Sequence, residues 1–406
     1  MKSVYDAIHG FIGLNPFENS WLKTPWFLRL QMIHQLGVAY KVFPCARHTR
    51  YEHSLGVMHL ATKIFDHLLD AFKKEFLFLE DPEICSFYRQ ILRLSCLSHD
   101  LGHLPFSHTA EEHVLKDECH EAWTLRVLDS EEVVNFLSPI ITEGEKFDIN
   151  AHKLLKKIAV GEAKFVKYCS NDEFSPFEKI LTEILTGDFF GSDRMDYLLR
   201  DAKYTGLTYG FFDHEQIIQT LLIDKDPNSG SATLMIDYKG VQACESLLLA
   251  RYFMYQRVYM NPKVLRFVYP MKYIIEKIMI DTDALTSVEN FLKISDVEVL
   301  SFIRNKGMDR DFFIGEEKSY DVIEISQLQK EMLKNQTWVT DLYFWEKKKK
   351  STFLDTNFPV KTSLGQIMSF SQCSKLQIPQ INENFVLFEK HLTSNVLASM
   401  QNGGYL

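Results

Sequence analysis

The stretch CLSHDLGHLPFSH, residues 96–108, concentrates four side chains that bind metals or move protons. His99 and Asp100 are direct neighbours, and His103 and His108 follow. Neighbouring side chains on a helix point about 100° apart, and the Gly and Pro between the histidines disfavour a continued helix. We therefore expect a helix to end near His99 and the later histidines to lie in a turn.

Apolar residues recur with helical spacing through most of the first 220 residues. The spacing predicts helices over about 25–36, 50–74 and 86–99, one that Ser107 caps, and at least one within 180–204. Strand-like runs around turn residues predict β-hairpins at about 3–14 and 220–238. We therefore expect a mainly α fold with small β-hairpins.

The bulk composition describes an ordinary globular protein of 406 residues. Its length suggests two lobes or one large elaborated domain, and a change of texture predicts domains at 1–275 and 276–406, the second an α+β lobe. The block EKKKK at 346–350 is interpreted as a solvated loop.

The charge, the cysteines and the hydrophobic runs restrict partners and location. A net charge of −9 argues against non-specific nucleic-acid binding. Seven cysteines without paired spacing indicate a reducing compartment. The N-terminus does not resemble a signal peptide, and no apolar run is long enough for a membrane span. We expect a cytoplasmic protein.

The stretch HTRYEHSLG, residues 48–56, places Arg50 and His53 three apart on one helix face. The pair is favourable if His53 is neutral because it binds a metal while Arg50 points at an anion such as phosphate. The alternative is a capping arginine beside an ordinary surface histidine.

The stretch GDFFGSDRMDYLLRDAKYTG, residues 187–206, places Asp193, Tyr197 and Asp201 in one helical stripe. Two carboxylates and a phenol are costly on a face that should be apolar unless they bind something. The alternative is a salt-bridged helix in which Arg194 and Arg200 neutralise the acids.

His53, His99, Asp100 and Asp193 together form a predicted set of metal ligands. Mixed nitrogen and oxygen donors suit a divalent ion such as Mn, Fe, Zn or Mg. Histidines near such an ion are suited to proton transfer at neutral pH, and the nearby ones are His103, His108 and His120. Glu111, three residues after His108, is placed to orient it.

These motifs, in this order, resemble the HD superfamily of metal-dependent phosphohydrolases, and in particular its deoxynucleoside triphosphate (dNTP) triphosphohydrolases. The similarity covers about residues 2–259, through DAIHGFIGL, TPWFLRLQMIHQLG, RYEHSLG, HDLGHLPFSH and DRMDYLLRD. It implies a helical HD core and hydrolysis of a dNTP to a deoxynucleoside and inorganic triphosphate, which regulates dNTP pools.

The resemblance also implies roles for individual residues. His53, His99, Asp100 and Asp193 match the family's metal ligands, and His120 matches its catalytic histidine, with His108 and Glu111 as proton relay and His103 near the phosphates. Positions that match triphosphate contacts are Arg50, Arg194 and Arg251. Positions that match sugar contacts are Gln35, Leu36, Tyr197, Asp201 and Tyr259, the last three excluding ribonucleotides.

The sequence departs from the family at the site where vertebrate members read an activating GTP. Lys23 replaces an aspartate that accepts from guanine, and Leu28 and Gln31 replace a glutamine and an arginine. A cation only donates hydrogen bonds, so GTP activation is doubtful and another effector, such as a dNTP, or none is favoured. We expect no SAM-type domain before the HD core and, from the family, a homo-oligomer such as a tetramer.

Two alternatives stay open. An HD phosphohydrolase could act on another nucleotide or on single-stranded nucleic acid. A non-catalytic nucleotide sensor on the same fold is disfavoured because all four metal ligands are present.

Overall fold

The computed structural model describes residues 2–227, 229–307, 320–336, 342–345, 358–379 and 384–401. Helices dominate these residues. In chain order the α-helices are α1 (Pro16–Trp21), α2 (Pro25–Leu28), α3 (Arg50–Glu75), α4 (Pro82–Ser98), α5 (Glu111–Val114), α6 (His120–Leu128), α7 (Glu131–Glu145), α8 (Ala151–Val160), α9 (Glu162–Tyr168), α10 (Pro176–Thr186), α11 (Ser192–Thr205), α12 (His214–Thr220), α13 (Val241–Met254), α14 (Pro262–Asp281), α15 (Val288–Leu292), α16 (Asp296–Asn305), α17 (Gln327–Lys334), α18 (Phe370–Cys373) and α19 (Thr393–Gln401).

Helix α3 is the central element and packs against α4 and α11. It begins where Thr49 and Glu52 form a reciprocal capping box, and its apolar stripe, including Met58 and Phe65, is buried. Helix α4 begins earlier than predicted because the Asp81 side chain accepts hydrogen bonds from its first turn and Pro82 occupies the first position. It ends at Ser98, as the sequence predicts.

The predicted helix over 25–36 is wrong beyond its first turn. Helix α2 gives way to a 3₁₀ turn at Arg29–Met32, and Ile33 is extended. The reason is a competing backbone pairing. The Arg50 N–H donates to the Ile33 carbonyl and the Gln35 N–H donates to the His48 carbonyl, at 3.0 Å each.

The predicted helix cap at Ser107 is also wrong. Ser107 lies in a short 3₁₀ turn, Ser107–Thr109, and has a left-handed backbone with φ of 57°. Its hydroxyl contacts Arg50 and the His34 carbonyl instead of a helix N-terminus.

Small sheets complete the fold, with strands β1 (Lys2–Asp6), β2 (Gly10–Leu14), β3 (Leu221–Lys225), β4 (Ala232–Asp237), β5 (Tyr320–Glu324), β6 (Leu342–Trp345), β7 (Pro359–Lys361), β8 (Ile367–Ser369) and β9 (Phe385–Glu389). Both predicted hairpins, β1–β2 and β3–β4, are present with antiparallel register. The β3–β4 hairpin is extended to a sheet of order β3-β4-β7-β8, in which β4 and β7 are parallel. A separate antiparallel sheet has the order β5-β9-β6. The predicted mainly α fold with small β elements is confirmed.

Two hydrophobic cores are present among the described residues. The main core continues past residue 275 through Phe291 and Ile303 and also includes Val360 and Phe370. A smaller core lies between the β5-β9-β6 sheet, α17 and α19. The domain boundary at 275 stays a prediction, and the block at 346–350 lies outside the described residues. Within the described ranges, no helix combines the length and apolar character needed to cross a bilayer.

Candidate metal and proton-transfer site

The four predicted metal ligands meet where α3, α4 and α11 converge, and we call His53, His99, Asp100 and Asp193 the metal cluster. His53 lies on α3, His99 and Asp100 follow the last turn of α4, and Asp193 lies in the first turn of α11. Ligand atoms of the first three lie within 4.8 Å of one another. Asp193 Oδ1 lies 3.0 Å from His53 Nε2 and 3.8 Å from His99 Nε2.

The hydrogen bonds of the two imidazoles fit a metal ion. His99 Nδ1 donates to the Cys96 carbonyl at 2.7 Å, which directs its Nε2 into the cluster. That Nε2 is buried and has no hydrogen-bond partner among the residues described. His53 Nδ1 donates to Asp196 Oδ2 at 2.8 Å, which likewise directs its Nε2 inward. Such outer hydrogen bonds set the orientation of metal-binding histidines.

A buried ionic network behind His53 was missed by the sequence analysis. Asp196 accepts from His9 Nε2 at 2.6 Å and from two nitrogens of Arg200, which also donates to Asp6. Arg200 therefore neutralises Asp196, not Asp193 or Asp201. The sequence feature that could have revealed this network is Asp196, a second aspartate three residues after Asp193 on the same helix face.

Gly56 on α3 lets this network approach. A side-chain carbon at Gly56 would lie 1.9 Å from Asp196 Oδ1 and 2.5 Å from Arg200 Nη2. Only glycine therefore allows α11 to pack so closely against α3 that Asp196 reaches His53.

The field of the metal cluster favours a positive charge. Burial would lower the pKa of His53, but Asp193 and Asp196 outweigh it and raise that pKa to about 10. Burial opposes ionisation of Asp100 and Asp193, yet Arg50 and the cluster histidines hold both carboxyl pKa values below their usual range. A divalent cation at this position would supply the charge that the carboxylates demand.

Arg50 forms hydrogen bonds within the site. Its Nη1 donates to Asp100 Oδ2 at 2.7 Å and its Nε donates to Ser107 Oγ at 2.8 Å. The guanidinium thus links the metal cluster to the loop that follows it. Its contact with a phosphate stays a prediction.

His103, His108, Glu111 and His120 lie beside the metal cluster, and we call them the histidine relay. Glu111 accepts from His120 Nδ1 at 2.8 Å through one oxygen and from His108 Nδ1 at 2.5 Å through the other. The rings of His103 and His120 are stacked, with centroids 3.7 Å apart. His103 Nε2 lies 3.2 Å from Asp100 Oδ1, so the relay touches the metal cluster.

Gly102 explains why His120 reaches this place. A side-chain carbon at Gly102 would lie 2.1 Å from the His120 carbonyl and 2.2 Å from the Thr124 backbone nitrogen. The missing side chain lets the start of α6 pack directly on the loop after α4.

The relay combines a cationic and a neutral imidazole. Burial would lower the pKa of His120, but Glu111 and Glu121 outweigh it and raise that pKa to about 9. Burial, Arg50 and the His120 cation lower the pKa of His103 well below its usual value. His108 is 64% exposed, so the relay has one end in solvent. The arrangement can deliver a proton at His120 and replace it from water.

The far end of α11 carries a second polar cluster. Asp201 is buried, accepting from His48 Nε2 through Oδ1 and from the Tyr259 hydroxyl through Oδ2, at 2.7 Å each. Tyr259 ends a five-residue π-helical turn, Tyr255–Tyr259, and its ring is edge-on to Tyr197 at 6.2 Å. The structure brings these predicted sugar-binding residues together and adds His48, which was missed.

The remaining predicted substrate residues are Arg194, Arg251, Gln35 and Leu36. Arg194 donates to Asp188 at 3.3 Å, while its buried Nε and Nη1 have no hydrogen-bond partner among the described residues. Burial and the nearby Arg194 cation lower the pKa of Arg251. Gln35 has a buried side-chain oxygen without a partner in the described ranges, and Leu36 is half-buried.

Comparison with known proteins identifies the class. Residues 50–162 match the HD domain and residues 212–314 match the HD associated region. Protein MJ1154 of Methanocaldococcus jannaschii is 32% identical over 314 residues, which are 75% of this chain and 55% of that protein. The deoxynucleoside triphosphate triphosphohydrolase SAMHD1 homolog of Dictyostelium discoideum is 28% identical over 303 residues, 73% of this chain and 51% of that protein.

A solved structure extends the likeness over nearly the whole chain. The crystal structure of a hypothetical protein from Aquifex aeolicus matches with a TM-score of 0.77 and 29% identity, covering 98% of this chain and 99% of that one. The chain spans about half the length of the curated relatives it matches.

The chain belongs to the HD superfamily and carries an HD domain followed by an HD-associated region. The predicted family is confirmed. Family and relatives together support a phosphohydrolase with a metal site.

Proposed function

We propose that the protein hydrolyses dNTPs to deoxynucleosides and inorganic triphosphate with a divalent metal, and so limits dNTP pools. The main support for this proposal is the contact between the metal cluster and the histidine relay. The metal cluster meets the histidine relay through Asp100 and His103, so a phosphate held at the metal would lie beside a proton donor.

His53, His99, Asp100 and Asp193 would hold the metal, which neutralises phosphate charge and lowers the pKa of a bound water. Water adds to the α-phosphorus while the bond from phosphorus to the 5′-oxygen breaks. His120 gives its proton to that oxygen, and Glu111 orients the imidazole and stabilises its charge. The proton that water loses goes to solvent, and solvent returns a proton to His120 at the exposed end of the relay beside His108.

The arginines and α11 support a nucleotide substrate. Arg194 presents buried donors without partners in the described residues, as an anionic phosphate chain requires. Asp193 and Asp201 are eight residues apart, about 12 Å along the helix. A nucleotide with its α-phosphate at the metal could therefore place its sugar at Asp201, Tyr197 and Tyr259, where a 2′-hydroxyl would be crowded.

The partners and the location are part of the proposal. We propose that the protein is a cytoplasmic homo-oligomer. We also propose that it does not need GTP. Lys23, Leu28 and Gln31 all lie exposed on the surface, and Lys23 puts a cation where guanine recognition needs an acceptor.

The test is an incubation of the purified protein with each dNTP and each NTP, with Mn²⁺ or Mg²⁺, followed by separation of the products. We expect deoxynucleoside and triphosphate from dNTPs and little from NTPs. Release of pyrophosphate and monophosphate, or of orthophosphate, would contradict the proposal and favour an HD phosphohydrolase of another specificity.

A further inference from the structure

Asp296, the first residue of α16, is buried behind the site, 1% exposed. Its Oδ1 accepts from the Phe106 backbone N–H at 2.6 Å. Its Oδ2 accepts from the His34 backbone N–H at 2.9 Å and from His34 Nδ1 at 2.5 Å. One carboxylate from the HD-associated region thus binds Phe106, inside the HD domain, and His34, which precedes that domain.

Asp296 is not needed to cap its own helix. Ser295 accepts from the Val297 N–H, and Glu298 accepts from the Ser295 N–H at 2.8 Å. Because this capping box satisfies the start of α16, both carboxylate oxygens of Asp296 can accept hydrogen bonds from His34 and Phe106.

The loop that Asp296 binds has an unfavourable backbone. Phe106 and Ser107 are consecutive left-handed residues, with φ of 56° and 57°, a conformation that side chains other than glycine rarely adopt. Such a conformation persists only where surrounding contacts hold it. The loop lies between His103 and His108, so its conformation places both relay histidines.

A chain of hydrogen bonds runs from this loop to the metal cluster. The Ser107 hydroxyl donates to the His34 carbonyl at 2.6 Å and accepts from Arg50 Nε. Arg50 in turn donates to Asp100 Oδ2. Holding His34 and Phe106 therefore also orients a metal ligand.

Arg29 also holds this loop, through a hydrogen bond to a backbone carbonyl at its start. It donates to the His103 carbonyl and to the Ile294 carbonyl, at 2.9 Å each, and stacks over Phe291 at 4.5 Å. Arg29 therefore bridges the HD-associated region at Ile294 to the start of the loop at His103, in addition to the direct contacts of Asp296.

We infer that Asp296 is a positioning residue that lets the HD-associated region set the geometry of both the metal cluster and the histidine relay. For the catalytic effect, the inference rests on the function proposed above.

The test compares Asp296→Asn with Glu298→Ala, which removes a capping group two residues away without touching the loop. In Asp296→Asn an amide NH₂ must face an N–H donor. We expect Mn²⁺ affinity, measured by titration calorimetry, to fall by about 10- to 100-fold. The kcat for dNTP hydrolysis should fall similarly while KM changes less than about twofold. Glu298→Ala should lose thermal stability but keep wild-type Mn²⁺ affinity and kcat.

Ser107→Ala removes the hydroxyl that links the His34 carbonyl to Arg50. If Asp296→Asn does not fold, this second variant tests the inference instead. It should also weaken Mn²⁺ binding, and wild-type affinity in every folded variant of the two would overturn the inference. If the wild-type protein binds Mn²⁺ but does not hydrolyse dNTPs, the proposed function fails while the affinity comparison still tests Asp296.

Discussion

The metal cluster and the histidine relay touch each other but are built in different ways. The metal cluster lies at the ends of long helices, and a fully buried network of Asp196 and Arg200 backs it. The histidine relay lies on a turn, on the four-residue helix α5 and at the start of α6, and its outer histidine is mostly exposed.

This difference matches what each half must do. A metal site needs ligands whose orientation does not change, and buried charge pairs provide that rigidity. A proton relay needs exchange with water, which requires an exposed end. We therefore expect mutations to damage the metal cluster through binding and stability, and the relay through pH dependence.

The largest effect is expected from removing two ligands. His99→Ala with Asp100→Ala should lose bound metal and reduce hydrolysis to background, because two of the four predicted ligands are gone. Metal analysis of the purified protein and a turnover assay measure this. Asp66→Ala, which loses only an exposed pair with Arg89, should keep both, and full turnover in the double variant would refute the ligand assignment.

The backing network should matter nearly as much. Asp196→Asn should destabilise the protein by about 3–5 kcal/mol, because it removes one of the two carboxylates that pair with buried Arg200. It should also weaken Mn²⁺ binding about 10- to 100-fold. Urea unfolding and calorimetry measure the two effects.

A matched control separates stability from metal binding. Glu18→Gln breaks another buried pair, with Arg93, away from the metal cluster. It should cost stability and leave Mn²⁺ affinity unchanged. Equal losses of affinity in both variants would mean that Asp196 has no specific role at His53.

The relay should show itself in the pH profile. His120 must be protonated to donate, and its pKa, lowered by burial but raised more by Glu111 and Glu121, is about 9. Activity should therefore be lost as the pH rises through about 9. Glu111→Gln removes a carboxylate that raises this pKa, so the loss should begin at lower pH in a profile of kcat/KM. Exposed Glu112→Gln is the control, and an unshifted profile for Glu111→Gln would exclude the proposed coupling.

A smaller effect is expected on sugar selection. Tyr197→Ala opens the space beside Tyr259 and should reduce the preference for dNTPs over NTPs by about tenfold, or ~1.4 kcal/mol. Ratios of kcat/KM for dATP and ATP measure it, with exposed Tyr238→Ala as the control. An unchanged ratio would remove Tyr197 from sugar recognition.

No effect is expected from GTP. Addition of GTP to an assay of dATP hydrolysis should not raise the initial rate, whereas mixtures of dNTPs test a different effector. Strict dependence on GTP would show that the interpretation of Lys23 was incorrect.

The metal cluster and the hairpins could be predicted from local patterns. The pattern of His53, His99, Asp100 and Asp193 predicted a ligand set whose side chains the structure brings together, and the end of α4 followed from the Gly and Pro after it. The helix over 25–36 could not be predicted correctly, because the backbone of 33–35 pairs with residues 48–50, a long-range contact that outweighs local helical spacing.

The supporting residues were hidden for the same reason. Asp296 is 190 positions from Phe106, and nothing near it in the sequence suggests a contact with the site. His48 and His9 acquire partners only when α11 packs against α3.

The sequence by itself determined the HD family and the helical class and predicted the candidate metal ligands, because those follow from side-chain chemistry and short spacing. Only the tertiary structure decided which carboxylates face histidines, which arginines are already paired and which residues hold the loop between His103 and His108. Those choices depend on burial and on contacts between distant segments, and neither exists until the chain has folded.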